Sequence, residues 1–141
     1  MTPVTFDRDD IVSALEELAE LLGEGGVSTT IRVVGGAALV VAYGRQATTT
    51  DIDALYGAPD DVSAAVATIA ARRGWPDTWL NDRVKMFASH YDHTAGWVLL
   101  ATRANVEVWI APADLLLAMK LLAGRAGATG PTSTCSAKPA R

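Results

Sequence analysis

Three stretches of the chain repeat apolar side chains at the three- and four-residue spacing of an amphipathic helix. They cover residues 5–26, 60–74 and 111–125. In each, an acidic residue near the start suits the helix dipole, and glycine or basic residues follow the last apolar positions. The residues expected to cap or end these helices are Asp7, then Asp60 or Asp61, and Gly74, with Asp114 in the first turn of the third helix.

Shorter apolar stretches bounded by Gly, Pro or Asn have the pattern of strands. Residues 37–45 fit helix or strand by composition, and Ala-Ala-Leu with a stop at Gly44 favours a helix lying on the sheet. Residues 75–88, rich in Trp, are expected to form a loop and then a short strand. The elements predict an α/β (α+β) fold with a small mixed β-sheet flanked by helices. The expected strands are 29–34, 50–56, and 96–102 and 105–110 around a turn at 103–105.

Composition narrows the class of protein. The chain has 141 residues, half of them apolar, and a net charge of −4, which argues against a broad nucleic-acid-binding surface but not against a local basic groove. Its one cysteine, Cys135, cannot form an intramolecular disulfide, and no apolar run approaches the ~18 residues of a membrane span. We therefore expect a cytoplasmic domain over residues 1–125, with no membrane partner, and a disordered tail over 126–141.

Two carboxylates, Asp51 and Asp53, lie one residue apart in the otherwise apolar stretch DIDALY. Both would lie on one face of a strand, where their charges repel each other unless a cation lies between them. A D-x-D alone is more often a solvated pair than a metal site. A calcium helix–loop–helix site is excluded, because its sixth position would be Tyr56 rather than Gly and its twelfth Val62 rather than Glu.

Two other elements add to this pair. Gly35 and Gly36 separate a strand from the helix expected to follow it, so the backbone there can approach a phosphate at the helix N-terminus. A plain tight turn is the commoner role of a Gly-Gly pair. No third glycine and no Gly-Lys-Ser/Thr follows, which excludes the dinucleotide fingerprint and the P-loop. Glu107 alternates with core-facing valines, and a strand paired beside the Asp51 strand would bring it onto the same face.

Taken together, the Gly-Gly turn, the apolar-Asp-apolar-Asp pattern and the later apolar-Glu-apolar strand resemble the signature of the polymerase-beta-type nucleotidyltransferase superfamily. The resemblance implies a nucleotidyltransferase-like core in which the glycine turn holds a nucleoside triphosphate and three carboxylates hold two Mg²⁺ ions. Two metals about 3.5–4 Å apart suit phosphoryl transfer, which needs charge neutralisation and an aligned nucleophile. The matching segments are Val34-Gly35-Gly36, Asp51-Ile52-Asp53 and Val106-Glu107-Val108.

Residues ~30–125 are also similar to one branch, the small nucleotidyltransferases related to abortive-infection toxins of bacterial toxin–antitoxin pairs. By that resemblance Arg45 and Thr50 contact the nucleotide, Lys120 stabilises the triphosphate charge, and Glu107 completes the metal site and acts as base. The resemblance implies a tRNA or protein acceptor and an antitoxin partner. A catalytically silent binding subunit and a small-molecule (antibiotic) nucleotidyltransferase remain the alternatives. Without the resemblance, the sequence pattern predicts that Lys120 and Arg45 are solvated surface residues.

The chain departs from that family after residue 125. There the family continues into an arginine and acidic residues that begin further helices, whereas this chain runs into AGATGPTSTCSAKPAR. Either loss of that C-terminal region or a shifted reading frame would explain this difference. Two smaller groups stay open: residues 79–85, suited to contact a base or an acceptor, and His90 with His93, where surface histidines are the better interpretation than a zinc site.

Overall fold

The computed structural model describes residues 4–43, 48–86, 96–118 and 121. Arg45, the histidines at 90 and 93, Lys120 and the tail 126–141 lie outside the described residues. Residues 113–118 are helical, as expected for the start of the third predicted helix. The other elements are α1 (Arg8–Glu24), β1 (Thr29–Val34), α2 (Gly35–Tyr43), β2 (Ile52–Tyr56), α3 (Pro59–Arg73), β3 (Leu80–Asn81), β4 (Val98–Arg103) and β5 (Val106–Ile110).

The N-terminal cap predicted for α1 is confirmed, and the one predicted for α3 is not. Asp7 caps α1 as expected: its side chain accepts from the Asp10 N–H at 2.9 Å, and the Asp10 side chain accepts from the Asp7 N–H at 3.1 Å. The cap predicted for α3 is wrong. That helix begins at Pro59 and has no side-chain cap, since the residue before it is Ala58. Proline suits the first helical position because its φ is already fixed near the helical value. Asp60 and Asp61 lie inside its first turn, where they still favour the dipole.

The five strands form a mixed sheet in the order β3-β2-β1-β5-β4, so the predicted fold class is confirmed. β1 lies at the centre, antiparallel to β2 and parallel to β5. Because β1 and β2 are antiparallel, the end of β1 and the start of β2 lie at the same edge, with Val34 opposite Asp53. This edge therefore brings the Gly-Gly turn beside the aspartates.

The sheet has one face covered by helices and one more exposed. Alternate residues such as Ile31 and Val33 are fully buried, and α1 packs against α3, β4 and β5. The side chains between them point the other way, because strand residues alternate. We call this second surface the open face; it carries Thr30, Arg32, Asp53, Glu107 and Trp109.

An aromatic cluster fixes the segments around the aspartates. Trp75 contacts both Phe6 and Trp79, with ring centroids 4.4 and 5.5 Å apart, and the buried Trp79 Nε1 donates to the Val66 carbonyl at 2.9 Å. Phe6 also pairs through its backbone with Thr49, with N···O distances of 2.7 and 3.1 Å. The loop before Asp51 is therefore held by the N-terminal segment.

In the part of the chain that the structure describes, no helix has the length and apolar character needed to cross a membrane.

Candidate functional site

The Gly-Gly turn contacts one of the two aspartates. Gly35 has φ +68°, a left-handed conformation that favours glycine, and it starts α2. A Cβ at Gly35 would lie 3.2 Å from Asp53 Oδ2, so the carboxylate lies directly against this backbone. A Cβ at Gly36 would lie 3.5 Å from Thr49 Oγ1, an ordinary contact. The N-terminus of α2 thus faces a carboxylate, the charge that a helix N-terminus favours.

Asp51 is held by polar side chains from the end of β3. Arg83 forms an ion pair with Asp51 through its Nη2 and the Oδ2 of the carboxylate, and Asn81 Nδ2 lies 3.5 Å from the same oxygen. The Arg83 Nε in turn donates to Asn81 Oδ1 at 3.0 Å. Thr49 Oγ1 donates to the Asp51 carbonyl at 3.0 Å. Asp51 therefore has a defined position, although Arg83 itself is 70% exposed.

The environment of Asp53 disfavours its charge. Burial raises the pKa of Asp53 above its ordinary value, and the neighbouring charge of Asp51 raises that pKa further. The positive charge of Arg83 and a hydrogen bond from Asn81 offset part of this increase. The pair thus remains under-neutralised although a guanidinium is present.

The donor set fits a hard divalent cation. Asp51 and Asp53 offer carboxylate oxygens on the same side, whereas Asn81 turns its amide NH2 toward them and its Oδ1 toward Arg83. Mg²⁺ in proteins is commonly held by one or two carboxylates, with water and substrate phosphates completing the octahedron. A cation here would also remove the repulsion that raises the pKa of Asp53. Within the described ranges, no cluster of three His, Cys, Asp or Glu side chains suits a metal ion, so a metal would depend on substrate oxygens.

The structure does not bring Glu107 to the aspartates. Glu107 pairs with Thr30 on β1, whereas Asp53 pairs with Val34, four positions further along that strand. The two carboxylates are therefore separated by about 13 Å along the strand and by two strand spacings of about 4.8 Å across the sheet. Glu107 shares the open face with Asp53, as expected, but lies at its other end. In this structure β1 lies between the two strands, so Glu107 is too far from Asp53 to share one metal ion with it.

Glu107 has a different partner. Its Oε1 accepts a hydrogen bond from Trp109 Nε1 at 3.0 Å. The third carboxylate of the sequence pattern thus orients an indole in this structure.

The remaining predicted residues divide into two groups. Thr50 is exposed and lies between Thr49 and Asp51, and it is Thr49 that the structure links to both the Gly36 turn and the Asp51 carbonyl. Arg45 and Lys120 lie outside the described residues, so their predicted contacts with a triphosphate stay predictions.

Sequence reasoning missed the role of Asn81 and Arg83. Both were noted as polar residues suited to a base or an acceptor, not as partners of Asp51. The sequence did contain a signal: three polar residues, Asn81, Asp82 and Arg83, directly follow the apolar Trp79-Leu80, a pattern typical of the end of a short strand. Nothing local indicated that this strand would pair in parallel with β2 and place Asn81 opposite Asp53.

Comparison with known proteins bears on this geometry. No curated protein and no solved structure matches the chain. One family model does match, over residues 9–127, and that family is described as a nucleotidyltransferase of unknown function (DUF6036). The matched region includes the glycine turn, both aspartates and Glu107. The chain therefore belongs to this nucleotidyltransferase family of unknown function.

Proposed function

We propose that this protein is a metal-dependent nucleotidyltransferase that moves a nucleoside monophosphate from a nucleoside triphosphate to an acceptor. The oxygen of an acceptor hydroxyl forms a bond to the α-phosphorus and its proton is released to water, the bond from that phosphorus to the oxygen that bridges to the β-phosphate breaks, and pyrophosphate leaves. The observation that carries the proposal is the contact of Asp53 with the Gly35 turn at the N-terminus of α2. It supports the proposal because the aspartate pair, which would bind a cation, lies beside a backbone that would receive phosphate.

Each residue of the site has a separate role in this proposal. Asp51 and Asp53 would hold Mg²⁺, two ions by resemblance, which neutralises triphosphate charge and lowers the pKa of the attacking hydroxyl. Gly35 and Gly36, which have no side chains, would let phosphate oxygens approach the backbone N–H groups of α2. Arg83 neutralises Asp51 in the absence of a metal, and a cation at Asp51 would leave the guanidinium available to a phosphate. Lys120 and Arg45 are assigned to the triphosphate on resemblance.

The acceptor is proposed on resemblance too. A tRNA or a protein side chain would receive the nucleotide, and the protein would act as a toxin controlled by an antitoxin. The net charge of −4 means that a tRNA would have to bind through a local basic groove rather than a broad surface. An antibiotic acceptor is tested by adding aminoglycosides to the same assay.

The test is transfer of label from each α-labelled nucleoside triphosphate to cellular RNA or protein in the presence of Mg²⁺. Asp51→Asn with Asp53→Asn should abolish transfer. The matched control is Asp60→Asn with Asp61→Asn, which removes the same charge from the first turn of α3 and should leave transfer unchanged. If the Asp51/Asp53 double variant retains the transfer activity of the control, the aspartate pair is not part of the active site.

One observation favours a second function, a catalytically silent nucleotide-binding subunit. Glu107, which the family pattern makes the third carboxylate, lies at the other end of the open face. Mg²⁺-dependent nucleotide binding that needs Asp51 and Asp53 but is followed by no transfer to any acceptor would select this function over the enzyme.

A further inference from the structure

Arg32 is the centre of an aromatic and polar group on the open face. The sheet register places Leu55 on one side of Arg32 and Trp109 on the other. Residues directly opposite each other on neighbouring strands point to the same face, so the three side chains form one row. This row lies two residues, about 7 Å, along β1 from the row that contains Val34 and Asp53.

Two indoles flank the Arg32 side chain. The Arg32 guanidinium carbon lies 5.8 Å from the ring centroid of Trp97, and Trp97 and Trp109 line a cavity of about 220 Å³ with Thr30 and Arg32. Glu107 fixes the Trp109 indole through the 3.0 Å hydrogen bond to its Nε1. Both indoles are half-buried, so each leaves part of its ring accessible. We call Arg32, Trp97 and Trp109 the aromatic platform.

A second cavity adjoins the platform. It measures about 650 Å³, shares Thr30 and Arg32 with the smaller cavity, and is also lined by Leu55 and Asp82. This cavity also reaches Thr29, Tyr56 and Gly57, at the end of the sheet away from the Gly35 turn. Its volume is that of an ordinary small-molecule site, about 300–1,000 Å³. On the open face, the Arg32 row lies about 7 Å along β1 from the row of Asp53, so an extended ligand with its charged end at the aspartates can place its other end at the platform.

We infer that the aromatic platform binds the base of the nucleoside triphosphate whose phosphates the aspartate and glycine turn would hold. This inference rests on the proposed function. A nucleobase is planar and has hydrogen-bonding edges, and it stacks on indole rings and on guanidinium planes. Every base has a π-face, so the platform contributes affinity rather than strict choice of base. Glu107 acts as a positioning residue for Trp109 and does not contact the metal.

The experiment compares two ligands that differ in the base. Calorimetry measures Mg²⁺-dependent binding of ATP and of inorganic tripolyphosphate, which has the phosphates but no base. For Trp97→Ala and Trp109→Ala we expect ATP affinity to fall by roughly 5- to 150-fold, the range measured for stacking of one base, with tripolyphosphate affinity unchanged. Trp109→Phe should restore most of the ATP affinity. Val98→Ala, which trims an exposed apolar residue on β4, is the matched control and should change neither.

The Glu107 variants test the positioning role. Glu107→Ala should weaken ATP binding but not tripolyphosphate binding, and Glu107→Gln should recover it because the amide oxygen still accepts from Trp109 Nε1. A metal ligand would instead affect both compounds in both variants.

The outcomes separate this inference from the proposed function. Selective loss of ATP binding in the platform variants supports it. If the affinities for ATP and tripolyphosphate fall equally, the platform belongs to the phosphate site or supports its folding. If neither affinity changes, the two indoles are surface residues. Either result overturns the inference. Loss of RNA labelling with normal ATP affinity would assign the platform to a base of the acceptor and would also overturn it. If the wild type binds neither compound, the proposed function fails, and the inference fails with it.

Discussion

Replacing Gly35 by alanine separates the backbone role of the turn from its contact with Asp53. Gly35 and Gly74 share the same φ of +68°, but a Cβ at Gly74 would meet no atom within 4 Å. An L side chain in this conformation costs about 1–2 kcal/mol at either position. In a chain of this size each kcal/mol lowers the melting temperature by about 4 °C. We therefore expect both alanine variants to melt roughly 4–8 °C below the wild type in metal-free buffer.

Only Gly35→Ala should affect the site. Its Cβ would lie 3.2 Å from Asp53 Oδ2, tighter than an ordinary contact, so the carboxylate must move by a few tenths of an ångström. Mg²⁺ demands near-ideal octahedral geometry, and disturbing the residues that orient its ligands typically lowers affinity by about 10- to 100-fold. We expect Mg²⁺-dependent ATP binding to fall by that amount in Gly35→Ala and to stay unchanged in Gly74→Ala.

The assay is thermal unfolding without metal, followed by calorimetric titration of ATP with Mg²⁺ at a temperature where both variants are folded. Unchanged ATP binding by Gly35→Ala, together with the same loss of stability as Gly74→Ala, would refute the reasoning. It would make the Gly35 contact with Asp53 a feature of packing alone.

Three further predictions address other parts of the molecule. Because the pKa of Asp53 is raised in the folded protein, its charge destabilises the fold fully above that raised pKa and not at all below the unfolded-state pKa. Asp53→Asn should therefore raise the melting temperature at neutral pH and lose this advantage as the pH falls, and wild-type Mg²⁺ affinity should fall over the same acidic range. Trp79→Phe removes the indole hydrogen bond to the Val66 carbonyl and reduces the volume of a fully buried side chain, and it should lower the free energy of unfolding by about 1–3 kcal/mol in urea titration. Lys120→Ala should lower transfer without changing the melting temperature, with partial recovery in Lys120→Arg; full activity of the alanine variant would return Lys120 to the solvated surface.

Local patterns were sufficient for most of the fold. The stripe of α1, the Asp7 cap and β1 follow from spacing and from single residues, and the structure confirms them. Residues 37–43 were ambiguous by composition, and they are helical as favoured; the helix starts earlier, at Gly35. The strand predicted over residues 50–56 is also present, although it starts at Ile52 rather than at residue 50.

The candidate site was only partly accessible from sequence, because it depends on strand order. Gly35 and Asp53 were both named, and their contact follows from the antiparallel pairing of β1 and β2. The position of Glu107 was not readable, since the same alternation of apolar and polar residues suits a strand paired to β2 or to β1. The register of a strand pair separated by about seventy residues has no local signal. Arg83 was missed for the same reason, as its partner lies 32 residues away.

The Phe6–Thr49 bridge decides where a recombinant fragment of this protein can begin. The family match starts at residue 9, so a fragment cut at that boundary would lack both Phe6 and the Asp7 cap. Thr49 would then have no backbone pairing at Phe6, two residues before Asp51. Such a fragment would retain every residue of the family signature, yet the loop before its first aspartate would lose its backbone pairing with the N-terminal segment. An inactive fragment would then report a boundary chosen three residues too late rather than an inactive protein.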